Sequence, residues 1–235
     1  RHFSPFFTYP TVKNRIIHEI GLKENRLYII GKSQGLCYND TEVKRRMLSM
    51  KNVIDDKNPL IREKSKEVSL PLSDEDRHTL MEMYQYLVDS QDEEKAEKYD
   101  LRPGVGIAAI QIGIPKRMCA IYIPSVDEEG HIVKCDQWAL VNPRIVANAV
   151  KVAYLKNGEG CLSVPEDQPG IVPRSAKVTV KGYDALTDQE VSIVARGFTA
   201  ICLQHELDHF EGILYYDHFN KEDPKAPIPN AMVIE

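Results

Sequence analysis

Gln204-His205-Glu206-Leu207-Asp208-His209 decides how the fold is interpreted, because it places an H-E-x-x-H pattern inside a predicted helix. Its two histidines are four residues apart, slightly more than one helical turn, so both side chains emerge on one face. Such a pair suits a divalent metal such as zinc or iron(II). In sites of this kind the glutamate acts as general base toward a metal-bound water. The alternative is a solvated polar face on an ordinary helix.

The third metal ligand is not evident from this helix. Catalytic sites of this kind carry three protein ligands and a water, and the helix supplies two of them. In the metzincin pattern a further histidine would stand at position 215, after Gly212, but this chain has Tyr215 there. In gluzincins a later helix supplies a glutamate, for which the proline-rich C-terminal segment leaves little room. We therefore expect the third ligand upstream of the helix.

Two cysteines compete for the position of third ligand. Cys161 lies in Glu159-Gly160-Cys161-Leu162-Ser163, a predicted loop, and a thiolate binds borderline and soft metals well. Cys202 is the rival, but it sits one turn before His205 on the same helix and would leave the metal poorly enclosed. The other interpretation of Cys202 is a small apolar residue in a pocket wall. The other interpretation of Cys161 is a buried thiol that binds no metal.

Length and composition restrict the class of protein. The chain has 235 residues, which suits one domain or one domain with an extension. Its net charge of −5 argues against general affinity for nucleic acids. No apolar run approaches the roughly 18 residues of a membrane span. The five cysteines are scattered and form no C-x-x-C pair, so a reducing cytosol fits better than a disulfide framework.

Residues 1–46 differ from the remainder of the chain. They carry nine Lys or Arg against four Asp or Glu, and their aromatic and turn residues show no periodicity. No signal-peptide core is present. We expect a loosely ordered or non-native extension, followed by a natural start at Met47 or Met50; an organelle-targeting segment is the alternative. The predicted division is therefore 1–46 for the extension and 47–235 for the folded domain.

The folded domain shows an orderly succession of predicted elements. Ser73 is placed to cap a helix, with Asp76 three residues on. Residues 91–98 are charged and predict a solvated face or a loop. Strands are predicted over 118–123, 138–141 and 150–155, a hairpin over 177–195, and an edge strand at 232–234. Gly197 opens the helix that carries the H-E-x-x-H pattern.

A glycine-rich segment precedes the first predicted strand: Gly104-Val105-Gly106-Ile107-Ala108-Ala109-Ile110-Gln111. A nucleotide-binding loop is one interpretation, but Ala109 occupies the position of the third glycine and no strand clearly precedes the segment. Paired glycines also let the backbone of a substrate approach closely.

The sequence resembles the peptide deformylases in three motifs taken in order. Residues 104–111 are similar to the motif G-x-G-x-A-A-x-Q, residues 159–163 to E-G-C-L-S, and residues 204–212 to Q-H-E-x-D-H-x-x-G. The resemblance runs from about Met47 to the end of the chain. The long segment before the first motif is similar to the Gram-positive type II branch.

This resemblance implies a hydrolase that removes the N-formyl group from the formyl-methionine of newly synthesised proteins and releases formate. It implies one iron(II) ion per chain, which zinc, nickel or cobalt can replace, held by Cys161, His205 and His209. Glu206 would take a proton from the attacking water. The implied roles of the remaining residues are stabilisation of the oxyanion by Gln111 and Leu162, binding of the peptide backbone by Gly106, and lining of the methionine pocket by Ile201 and Cys202.

The implied fold is α+β, with antiparallel sheets packed around a central metal-binding helix at 197–211. Glu159 would anchor its loop by pairing with an arginine, and Asp208 would orient local structure. The implied partners are N-formyl-Met nascent peptides and, transiently, the ribosome in a bacterial cytoplasm, without specific nucleic-acid readout or membrane binding. A zincin-like peptidase and a protein with a purely structural metal remain alternatives.

Overall fold

The structure, a computed structural model, describes residues 48–166 and 168–235. Within these residues the strands are β1 Gly106–Ala108, β2 Met118–Val126, β3 Ile132–Asn148, β4 Val152–Leu155, β5 Arg174–Ser175, β6 Lys177–Asp184, β7 Gln189–Arg196 and β8 Met232–Ile234. The α-helices are α1 Asp74–Ser90, α2 Glu93–Tyr99 and α3 Gly197–His209. Short 3₁₀ turns occur at Met50–Asn52, Pro59–Arg62, Ala109–Ile112 and Tyr215–His218. The prediction that residues 1–46 form a separate extension lies outside the described residues.

Two sheets carry the fold, as expected for the α+β class. One has five antiparallel strands in the order β1-β2-β3-β6-β7, and the other has three in the order β5-β4-β8. The predicted hairpin is β6–β7, whose turn includes Asp188 with a φ of 59°. The expected antiparallel pairing holds except between β4 and β8, which run parallel. The sequence at 232–234 shows an edge strand but does not show its direction relative to a partner.

Helix α1 covers one face of the five-stranded sheet. The Ser73 hydroxyl accepts a hydrogen bond from the Asp76 N–H at 3.1 Å, which confirms the predicted cap. Leu80, Met83 and Leu87 recur at helical spacing and are fully buried. The charged run that follows forms the short helix α2 rather than a loop, and none of its residues is buried.

Helix α3 lies between the two sheets and contacts strands of both. It starts at Gly197, whose φ of +58° favours glycine, and ends at His209, two residues before the predicted boundary. Gly212 follows with a φ of +70°, and a Cβ there would lie 2.1 Å from the Arg62 carbonyl oxygen. This close approach fixes the chain as it leaves the helix. No described helix is both long and apolar enough to cross a bilayer.

Candidate metal centre

Three side chains converge where α3 faces the loop between β4 and β5. His205 and His209 are one turn apart on α3, and Cys161 comes from the loop. Their ligand atoms all lie within 4.8 Å of one another, and Cys161 Sγ is 3.4 Å from His209 Nε2. Metal–sulfur and metal–nitrogen bonds at a tetrahedral angle would set sulfur and nitrogen about 3.6 Å apart. The three donors therefore fit a small divalent cation of intermediate softness.

A buried ion pair orients the first of these histidines. The His205 Nδ1–H donates to Glu159 Oε2 at 2.8 Å, which leaves Nε2 available to a metal. The expected arginine partner of Glu159 is Arg174, whose Nε and Nη2 donate to the two carboxylate oxygens at 2.8 and 2.9 Å. Burial alone would raise the pKa of Glu159, but the charge of Arg174 and the hydrogen bonds hold it below its ordinary value.

The two histidines differ in their electrostatic surroundings. Burial and the neighbouring His205 lower the pKa of His209, which keeps its imidazole neutral and able to ligate a metal. Burial opposes protonation of His205 as well, yet its contacts with Cys161 and Glu159 raise its pKa. The centre therefore attracts positive charge at His205, and a metal cation would take the place of that proton.

Glu206 lies beside the three ligands without belonging to their group. Glu206 is 3% exposed, and this burial is the main cause that raises its pKa to about 7. Among the described residues, Glu206 Oε2 has no hydrogen-bond partner. A Cβ on Gly106 would lie 2.3 Å from Glu206 Oε1, so the carboxylate packs against the glycine backbone.

The amide of Gln111 has a fixed orientation. Its Oε1 accepts a hydrogen bond from the Ala108 N–H at 2.8 Å, and its Nε2 lies 3.4 Å from Cys161 Sγ and 3.3 Å from Ser163 Oγ. The N–H side of the amide therefore faces the metal ligands. Ser163 is a contact that the sequence did not identify as part of the site.

The comparisons with known proteins agree with this geometry. A family profile described as polypeptide deformylase matches residues 50–225. The chain is 46% identical to peptide deformylase 2 of Bacillus cereus over 189 residues, which cover 80% of this chain and all of the relative. The chain belongs to the peptide deformylase family. It is therefore a metal-dependent hydrolase that removes the N-formyl group from nascent peptides.

Solved members of the family share the fold. A peptide deformylase of Ehrlichia chaffeensis is 28% identical, with a TM-score of 0.59, and the match covers 75% of this chain and 89% of that one. A class I type b peptide deformylase of Acinetobacter baumannii, described as bound to Met-Ala-Ser, is 29% identical with a TM-score of 0.55. That match covers 71% of this chain and 96% of the relative. The recognition made from three motifs and the expected fold class are both confirmed.

A pocket opens onto the metal ligands. The structure places eight of the nine residues expected at the site on its walls, and the ninth, His209, is grouped with Cys161 and His205. The pocket is lined by residues 102–106, Gln111, Leu155, residues 159–162, Phe198, Ile201, Cys202, His205 and Glu206.

Phe198 and Leu155 are apolar residues of this pocket that the sequence did not identify. Phe198 lies one turn before Ile201 and Cys202, so helical spacing could have identified it. Leu155 ends β4, and its position in the pocket depends on how the second sheet packs against α3.

Proposed function

We propose that Cys161, His205 and His209 hold the catalytic metal, and that Glu206 moves the protons of formyl-group hydrolysis. The convergence of the three donor atoms beside a buried carboxylate is the observation that carries this proposal. In the reaction a water oxygen adds to the formyl carbon, the carbon–nitrogen bond breaks, and formate leaves the free amine of methionine.

A divalent metal on these ligands supplies a Lewis acid for the formyl carbonyl and makes water a better acid. The chain supplies the proton carrier. Glu206 Oε2, which has no partner among the described residues, would accept a proton from the attacking water. The same oxygen would then return the proton to the departing amine nitrogen. The Gly106 backbone keeps this carboxylate at the pocket wall.

Charge that develops on the formyl oxygen needs donors that are already in place. Gln111 supports this role because its oxygen is occupied by the Ala108 N–H, which directs its Nε2 toward the metal ligands. The Leu162 backbone N–H, from the residue after Cys161, is the second proposed donor. Leu162 lies in the pocket wall, in the same loop as the thiol ligand.

The pocket also suits an extended peptide that begins with methionine. Strand β1 is an edge strand of its sheet, so Gly106 can offer backbone groups to a peptide laid alongside it. Ile201, Cys202 and Phe198 form an apolar wall on α3 for the unbranched methionine side chain. The Acinetobacter baumannii relative described as bound to Met-Ala-Ser is in keeping with this choice of substrate.

We further propose iron(II) as the metal in the cell, with zinc, nickel or cobalt able to replace it. Thiolate and imidazole ligands accept each of these ions. The substrate would be met as it emerges from the ribosome, which implies transient association with the ribosome in the bacterial cytoplasm.

The test is release of formate from formyl-Met-Ala-Ser by protein purified without oxygen, with metal analysis of the same preparation. We expect formate in proportion to bound metal. An acetyl-capped peptide with an internal cleavage site separates a zincin-like peptidase, which would cut it, from a deformylase, which would not. A tightly held metal with activity on neither peptide would indicate a structural site.

A further inference from the structure

The C-terminal 3₁₀ turn Tyr215–His218 contacts His205, and none of its residues lines the pocket. The Tyr215 ring is stacked on the His205 imidazole, with centroids 6.1 Å apart and planes inclined by 21°. Tyr215 is 2% exposed and also contacts Phe219 edge to face. The turn thus covers the face of a metal ligand, a contact that neither the turn nor the helix shows in its own sequence.

The other end of the turn reaches the same histidine through a chain of charged groups. His218 Nε2 donates to Asp208 Oδ2 at 2.7 Å, and Arg174 Nη1 donates to the same oxygen. The Nε and Nη2 atoms of Arg174 donate to the Glu159 carboxylate, which also accepts a hydrogen bond from His205 Nδ1–H. Arg174 and Glu159 are each 3% exposed at the side chain, so water can scarcely replace a lost partner there.

Asp208 is the point where the turn joins this chain. Its Oδ2 accepts hydrogen bonds from both His218 Nε2 and Arg174 Nη1. One carboxylate oxygen therefore receives two donors, which fixes the plane of the guanidinium that holds Glu159. The Asp208 side chain is 21% exposed. Without His218, its carboxylate would therefore be shared between Arg174 and water.

We propose that the Tyr215–His218 turn positions His205 for metal binding, Tyr215 by covering the imidazole face and His218 through Asp208, Arg174 and Glu159. The inference rests on the metal site proposed above. Residues that hydrogen-bond directly to a ligand change metal affinity by about 10- to 100-fold. His218 acts on His205 through three intervening residues, so its removal should accelerate metal loss by about three- to tenfold.

The experiment uses the full-length protein loaded with cobalt(II). The protein is mixed with excess EDTA, and loss of the cobalt–thiolate absorption gives the dissociation rate. His218→Ala should lose cobalt about three- to tenfold faster than wild type. His218→Gln, which can still donate to Asp208, should stay within about twofold of wild type. His131→Gln is the matched control, because that histidine is exposed in the turn between β2 and β3.

A second pair of variants addresses Tyr215. Tyr215→Phe keeps the ring and should retain cobalt like wild type, whereas Tyr215→Leu removes the stacked ring and should lose cobalt faster. Thermal unfolding of each metal-free variant separates positioning from packing. A merely structural turn would lower the melting temperature of metal-free and loaded protein alike and leave the dissociation rate unchanged.

Each outcome decides between the two roles. Equal cobalt dissociation from His218→Ala, Tyr215→Leu and wild type would overturn the positioning role while leaving the metal site intact. Failure of wild-type protein to bind cobalt would instead refute the proposed metal site, and the inference with it. Faster loss in His218→Ala and Tyr215→Leu, rescued in His218→Gln and Tyr215→Phe, would establish the role.

Discussion

Gly106→Ala should damage catalysis through Glu206 while leaving the backbone groups of Gly106 in place. An alanine Cβ would lie 2.3 Å from Glu206 Oε1, 2.7 Å from Cδ and 2.9 Å from Cγ. Ordinary contacts between such atoms are about 3.5 Å, so the carboxylate must retreat by roughly 1 Å. Displacement of a positioned group by about 1 Å costs on the order of 10²-fold in rate, or about 2.7 kcal/mol.

The assay for this prediction is steady-state formate release from formyl-Met-Ala-Ser, with metal content determined on the same preparation. We expect kcat to fall about 10²-fold, with KM within about threefold of wild type and metal retained. Gly104→Ala is the matched control, since its Cβ would meet the flexible Leu162 side chain and come no closer to it than 3.3 Å. That variant should lose less than about threefold in kcat.

Two results would refute this reasoning. Unchanged turnover in Gly106→Ala would show that Glu206 does not need its present position. A rise in KM with kcat intact would show that the glycine serves the peptide alone.

Three further predictions address the proposed roles. Glu206→Gln should fold and keep its metal, but turnover should fall by about 10² to 10⁴, because the amide cannot accept the proton; metal loss would make Glu206 a ligand. Cys202→Ala should keep the metal and shift the preference between formyl-Met and formyl-norleucine peptides, and unaltered preference would remove this residue from the pocket. A chain that starts at Met47 should retain full activity, since the Bacillus cereus relative aligns over its whole length with 80% of this chain; failure to fold would refute this.

Much of the site could be predicted because its residues lie in short, local patterns. The two histidines are related by helix geometry alone, and Gly106, Gln111 and Cys161 each lie in a compact motif. The Ser73 cap and the β6–β7 hairpin likewise depend on neighbours a few residues away. Local patterns of this kind can be recognised in a single sequence.

The surrounding support of the site could not be predicted, because it depends on contacts distant in sequence. An arginine partner was expected for Glu159, but only the packing of β5 beside α3 selects Arg174. The position of Tyr215 showed that a metzincin ligand was absent, yet gave no sign that its ring covers His205. For the same reason the sequence did not predict that β4 and β8 pair in parallel. Nor did it predict the second reason for glycine at position 106, which is that Glu206 needs the space.

X-ray absorption of the metal-loaded protein tests the central claim most directly, because it counts the ligand atoms around the metal. The proposed site predicts one sulfur at about 2.3 Å and nitrogen or oxygen ligands at about 2.0–2.2 Å in zinc-loaded wild type and in Cys202→Ala. In Cys161→Ala the sulfur should vanish, and most of the metal with it. A wild-type spectrum without a sulfur ligand would contradict the assignment. So would a sulfur ligand that is lost in Cys202→Ala and kept in Cys161→Ala.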